Sequence, residues 1–238
     1  ETMKKLLDKT AVITGSNGGI GKAIAKLFSN EGATLGLLDI NAIEASSFAQ
    51  ALGETESEHY GGGIDVSSES SIKNSFQEMK ETIGPVDILI NTAGIAGSGF
   101  VHELGVEDWD EIFRVNLRGT FLCCKEVIPH MKEKKWGRIV NFSSEVAHRG
   151  NPGLSHYAAS KAGVIAFSKC LALEVIDDGI CVNTLAPGPT DTTMLSGLDK
   201  TVIKKLIDDL MPIGRLGRPE EIAAAALFLS SEEAAFCV

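Results

Sequence analysis

The sequence predicts a three-layer α/β domain, a parallel sheet covered on both faces by helices. Three observations lead there. Short aliphatic runs alternate with longer segments of helical apolar spacing along all 238 residues. A small, polar or turn-forming residue ends each strand-like run, at Gly15, Asp39, Asp65, Asn91, Ser144 and Pro187; this is the carboxyl edge, where open parallel sheets bind ligands. No Pro/Ser linker, repeat or low-complexity stretch interrupts the alternation, so residues 1–238 read as one domain.

The elements justify this in order. Thr10-Ala-Val-Ile-Thr14 is a buried-strand run ended by Gly15-Ser-Asn-Gly-Gly-Ile-Gly21, and a helix with Ile24, Ala25, Leu27 and Phe28 follows, stopped at Gly32. Strand, glycine loop and helix form the setting of a dinucleotide fingerprint, in which a helix N-terminus faces a pyrophosphate. A glycine-rich βα turn also serves plain close packing. A second strand, Thr34-Leu-Gly-Leu-Leu38, ends at Asp39. There a carboxylate accepts from two ribose hydroxyls and repels a 2′-phosphate, or it caps the next helix, 42–52.

Gly61-Gly-Gly-Ile-Asp65-Val66 gives a third strand end; Asp65 meets an adenine amino group or caps the helix 67–83. The fourth strand, 86–90, leads into Asn91-Thr-Ala-Gly94, small enough for a ligand to lie against the backbone. After a glycine-dotted loop, residues 107–134 read as one long helix. Its apolar surface is broad enough for a subunit contact. Asn116 interrupts that surface, either for backbone bonding or to hold an active-site water. A fifth strand, 138–143, precedes Ser144, and a sixth, 179–185, ends in Pro187-Gly188. Residues 193–217 read as a substrate flap and 219–230 as a final helix.

Tyr157 and Lys161, four positions apart, share one helix face. An ammonium beside a phenol favours the phenolate and draws its pKa toward neutrality, the property of an acid/base. Ser144, just past the fifth strand, is placed to polarise a substrate carbonyl.

Bulk properties remove other classes. A net charge of −10 opposes a nucleic-acid groove, the Lys132–Lys135 stretch being too short to alter that. No apolar run reaches the ~20 residues of a membrane span. Five cysteines without ligand spacing read as reduced thiols of a cytoplasmic protein, and five histidines form no metal motif, so no metal is expected.

Jointly and in this order, Thr14-Gly15-x-x-x-Gly19-x-Gly21, Asn91-x-Ala93-Gly94, Asn116, Ser144 thirteen residues before Tyr157, Tyr157-x-x-x-Lys161, and Pro187-Gly188 with Thr192 resemble the classical short-chain dehydrogenase/reductase family, over essentially the whole chain. The resemblance implies a doubly wound Rossmann fold with a seven-stranded sheet, a homotetramer or homodimer, and hydride transfer between a nicotinamide and a carbonyl/alcohol pair. It implies Tyr157 as acid/base, with Lys161 lowering its pKa and holding the nicotinamide ribose. Ser144 then bonds the substrate oxygen, and Asn116 holds a water linking Lys161 to solvent. The implied cofactor set is Gly15, Asn17, Gly19, Ile20 and Gly21 at the glycine loop, Asp39 with Ile40, Asp65 with Val66 at the adenine, and Asn91, Ala93 and Gly94. Tyr157 and Lys161 join it, as do Pro187, Gly188, Thr190 and Thr192 at the carboxamide.

Three features depart from the family pattern. Thr92 stands where a second Asn is usual, Thr190 replaces a common Ile or Val, and the sequence stops at Val238 without the family's C-terminal strand and tail. The expected function is an NAD-dependent oxidoreductase acting on a small secondary alcohol or ketone of sugar, polyol or cyclic-alcohol type. One alternative is a 3-oxoacyl-(acyl-carrier-protein) reductase, opposed by Asp39, since such enzymes usually take NADPH, and by Asp177-Asp178, which would repel an acidic carrier. Another is a non-catalytic dinucleotide sensor, opposed by the intact Tyr157 and Lys161. Substrate identity rests on residues 95–106, 145–154 and 193–217. His148, Arg149 and Met194 are pocket candidates there, read first as exposed loop residues.

Overall fold

The computed structural model describes residues 4–53, 58–197 and 199–237. Six strands, β1 (Thr10–Thr14), β2 (Thr34–Asp39), β3 (Tyr60–Gly63), β4 (Ile88–Asn91), β5 (Gly137–Phe142) and β6 (Ile180–Leu185), form one sheet in the order β3-β2-β1-β4-β5-β6. Every pairing is parallel. This is a doubly wound Rossmann-type fold, with six strands among the described residues rather than seven.

Period-two alternation sends neighbouring strand residues to opposite faces. Val12, Leu89 and Ile139 pack under α3 (Glu69–Ile83), α5 (Gly119–Lys134) and α7 (Ser155–Val175), among Phe76, Met79, Leu122, Met131 and Leu171. Their neighbours Ile13, Ile90 and Val140 pack on the other face under α1 (Gly19–Asn30) and α10 (Pro219–Ser230), with Ile24, Phe28, Ala223 and Ala226. Each such side chain contributes roughly 1.5–3 kcal/mol on burial. A one-residue slip of any strand would exchange the two sets, which fixes the register.

β1 lies between β2 and β4, so the chain reverses its direction of winding there. The reversal opens a crevice at the carboxyl ends of β1 and β4. At the opposite end the charges are paired. Asp87, preceding β4, accepts the Thr10 N–H at 3.1 Å and the Lys134 ammonium. Asp178 lies between Lys132, at 3.2 Å, and Lys135. The buried Arg138 guanidinium stacks 4.6 Å from the Trp136 ring and reaches Glu232 at 3.4 Å.

Two expectations change. The single helix over 107–134 is α4 (Val106–Phe113), a π-helical turn at Arg114–Arg118, and α5. Its apolar periodicity runs through the turn, so only the side-chain bonds of Asn116 mark the break. The 193–217 segment is no bare flap: it carries α8 (Thr193–Ser196) and α9 (Lys200–Leu210), with Thr190 bridged to Gly217. Residue 198 and the Met194 side chain lie outside the described residues.

Candidate active site

A cleft of about 710 Å³ opens along the carboxyl ends of the strands. Its floor is the turn after β1. Gly15 takes φ +69°, and a Cβ there would come within 2.8 Å of the Ala93 backbone; only glycine lets the two loops close together. Gly18, the N-cap of α1, brings no side-chain cap. The first N–H groups of that helix, at Gly19, Ile20 and Gly21, thus meet the cleft with the positive end of the helix dipole.

Asp39, at the end of β2, does two things. One carboxylate oxygen accepts the Asn17 N–H at 3.0 Å and the other the Asn41 N–H at 3.2 Å. It therefore braces the glycine loop while still lining the cleft, and Ile40 beside it is 75% exposed. Asn41, not Asp39, caps α2 (Ala42–Leu52). Asp65 and Val66 line the same end; the Asp65 carboxylate accepts from the Ser67 N–H at 2.9 Å and hydroxyl at 2.6 Å, which holds it below the usual carboxylate range.

The cleft also gathers Ser144, after β5, with Tyr157 and Lys161 from α7. Lys161 is buried and donates to the Phe142 carbonyl at 2.9 Å; burial pulls its pKa down to about 8. Gly94 makes room for it, since a Cβ there would stand 3.2 Å from Nζ and 3.1 Å from Asn116 Oδ1. Tyr157 moves opposite to expectation. Burial pushes its phenol up, and Glu145 adds to that, against a hydrogen bond with Ser144 that favours the phenolate. Lys161 does not offset this, because its ammonium lies 5.9 Å from the ring centroid and is bonded elsewhere.

Three predicted residues do not face the cleft. Asn116 accepts the Ile95 N–H at 2.9 Å and donates to the Ile95 carbonyl at 3.0 Å and Ser160 Oγ at 3.2 Å. It clips the loop after β4 rather than presenting its amide to a water, which is the backbone-bonding alternative. The Asn91 side chain is turned into the sheet, donating to Asn141 Oδ1 at 2.8 Å on the adjacent strand. Asn17 donates to the Asn41 carbonyl at 3.1 Å, and its Oδ1 is buried without a partner.

The remaining predicted residues line the wall: Pro187, Gly188, Thr190 and Thr192 after β6, where Thr190 spends its hydroxyl on the Gly188 carbonyl at 2.9 Å. Sequence reasoning missed Glu145 as a site residue; Arg149, read first as exposed, is exposed and also borders the cleft, as its pocket candidacy had it. Both line the cleft on the short helix α6 (Val146–Arg149) and its N-cap, joined at 2.9 Å. Their i, i+4 spacing was the available signal. His148 is exposed and stays outside. Arg114, also missed, reaches Ser67 Oγ at 2.8 Å from the π turn.

An uncapped helix N-terminus, a close loop contact that excludes a Cβ at Gly15 and a carboxylate at the end of β2 fit a bound dinucleotide. Among the described residues no group of three or more His, Cys, Asp or Glu is placed to hold a metal, and no helix is long and apolar enough to cross a membrane.

A family model described as enoyl-(acyl carrier protein) reductase matches residues 15–238. The chain is 37% identical over 233 residues to a 3-oxoacyl-(acyl-carrier-protein) reductase of Aquifex aeolicus, covering 98% of this chain and 94% of that protein. It is 39% identical over 232 residues to the protein of the same name from Chlamydia muridarum, covering 97% and 93%. An uncharacterized oxidoreductase of Bacillus subtilis is 39% identical over 246 residues, covering 98% and 88%. With a match that begins in the glycine loop and takes in every element built above it, the chain belongs to the short-chain dehydrogenase/reductase family, oxidoreductases that bind a nicotinamide dinucleotide.

Proposed function

We propose that this enzyme reduces the 3-oxo group of an acyl thioester, with NADH as the preferred coenzyme. The observation that carries the reading is the meeting of Ser144, Tyr157 and Lys161 on one wall of the dinucleotide-sized cleft. The thioester class is supported by relatives named 3-oxoacyl-(acyl-carrier-protein) reductases. Apolar residues of the cleft lining, Val146, Leu154, Leu195 and Leu206 among them, suit an acyl chain. This reading takes precedence over the sugar, polyol or cyclic-alcohol substrate. The charge argument against it also falls away: Asp177 and Asp178 lie just before β6, at the far end of the sheet from the cleft, and Asp178 is held by Lys132 and Lys135.

The nicotinamide supplies the hydride when bound. Gly15, Gly19, Ile20 and Gly21 would hold the pyrophosphate, Asp39 and Ile40 the adenosine ribose, and Asp65 and Val66 the adenine. Lys161 would hold the nicotinamide ribose, and Pro187, Gly188, Thr190 and Thr192 the carboxamide, with Ala93 and Gly94 as backing. Asp39 favours NADH because its charge repels a 2′-phosphate. Ser144 bonds the substrate oxygen, and Tyr157 gives that oxygen its phenolic proton. A phenol kept protonated by burial is suited to that role. A positioned acid contributes ~10²–10⁴ in rate, and orientation of the reacting atoms contributes further.

Oxidation of a small secondary alcohol with NAD is the second reading, favoured by the same Asp39. A dinucleotide sensor is disfavoured by the intact Tyr157 and Lys161. Assembly into a dimer or tetramer is supported by Phe121, 45% exposed on α5 and edge-to-face with Phe167 of α7. A cytoplasmic setting is supported by five free cysteines.

The test is turnover of an acetoacetyl thioester with NADH against NADPH, beside polyols and cyclic alcohols with NAD. NADH-dependent thioester reduction is expected. Tyr157→Phe should lower kcat by at least ~10² while NADH binding, read by fluorescence, stays within about twofold. Turnover of polyols alone would replace the substrate class, and unchanged kcat in the variant would remove Tyr157 as the acid.

A further inference from the structure

The role given to Ser144 needs its only proton at the substrate oxygen. In the structure Ser144 Oγ donates that proton to Glu145 Oε2 at 3.0 Å. Glu145 is itself held. Its Oε1 accepts from Arg149 Nη2 at 2.9 Å, and its N–H donates to the Pro187 carbonyl at 3.1 Å. The side chain is 27% exposed, so its charge is only partly screened by water. Arg149 faces it from its own helix and Tyr157 from α7, with Lys161 behind. The Pro187-Gly188-Pro189 segment packed against it carries no titratable side chain.

We propose that Glu145 is a positioning residue of the reaction centre: by accepting the Ser144 proton it withholds that proton from the Tyr157 oxygen, and so keeps the phenol as the proton donor for carbonyl reduction. When a carbonyl arrives, Ser144 turns its proton to the substrate oxygen, and Arg149 remains as the partner of the released carboxylate. No bond is made or broken in this exchange beyond hydrogen bonds. The carboxylate charge also opposes a Tyr157 phenolate, in agreement with the upward push on that phenol. The inference rests on the reading of Tyr157 as the proton donor.

The chain has two tyrosines, so a Tyr60→Phe background leaves Tyr157 as its only phenol. Its ionisation can then be followed by near-ultraviolet phenolate absorbance, with and without NAD. Glu145→Gln should lower the midpoint by about half to one pH unit, and the alkaline limb of thioester reduction should move with it. Arg149→Met should move both upward, because the carboxylate loses its counter-charge. A merely structural role for Glu145 would change kcat or KM without displacing the midpoint. An unmoved midpoint in the Glu145→Gln protein overturns the proposal. Where that protein fails to fold, an unmoved or lowered midpoint in Arg149→Met overturns it instead. Absence of turnover on every carbonyl would strike the proposed function, while the phenolate titration would still report the coupling.

Discussion

The two ends of the sheet treat charge in opposite ways. At the amino ends of the strands each buried charge has a partner: Asp87 with Lys134 and the Thr10 N–H, Arg138 with Glu232 and the Trp136 ring. At the carboxyl ends Lys161 is buried with a single carbonyl for its ammonium. A buried charge without a counter-ion is costly, and folds keep one where a ligand or a reaction needs it. One end of the sheet is built for stability and the other for chemistry.

The sharpest way to break that contrast is to remove the unpaired charge. Lys161→Met should lower turnover by at least ~10² and yet stabilise the fold at neutral pH. Burial lowers the folded-state pKa of Lys161 to about 8 from 10.5, so the unfolded chain binds the proton more tightly. The resulting penalty is fully present below about pH 8 and fades as pH rises toward 10.5. At most about 3 kcal/mol is therefore recovered, less the lost bond to Phe142. Denaturant unfolding of parent and variant across that window checks it, and a variant less stable than its parent at pH 7 would contradict the account.

The opposite end should respond in reverse. Asp87→Ala strips a 4%-exposed carboxylate of its role to the Thr10 N–H and Lys134. A loss of about 2–4 kcal/mol is expected, with kcat per folded molecule unchanged at low temperature. A large fall in kcat at full folding would erase the division between the two ends.

The smallest effect concerns coenzyme choice. Asp39→Ala should raise kcat/KM with NADPH relative to NADH by about tenfold, a 1.4 kcal/mol change. Because Asp39 also braces Asn17 and Asn41, NADH binding should weaken as well. An unchanged NADPH/NADH ratio would confine Asp39 to the bracing role.

Local spacing carried much of this. Tyr157 and Lys161 fall on one helical face wherever that helix sits, and Gly15, Gly19 and Gly21 mark a strand-to-helix turn by composition alone. Alternation of strands and helices was equally legible, because periodicity is a property of neighbouring residues. What depends on distant partners was not. Asn116 reads as a polar residue in a helix until the fold sets Ile95 and Ser160 against it.

By itself the sequence determined the fold class, the edge of the sheet where the cleft opens, and the residue types that meet there. Only the tertiary structure decided their electrostatic state. The ammonium at Lys161 is drawn to the Phe142 carbonyl, the Tyr157 phenol is raised by burial, and Ser144 is engaged by Glu145. Hydrogen-bond partners and desolvation arise from groups brought together across the fold, and a one-dimensional pattern holds no record of them.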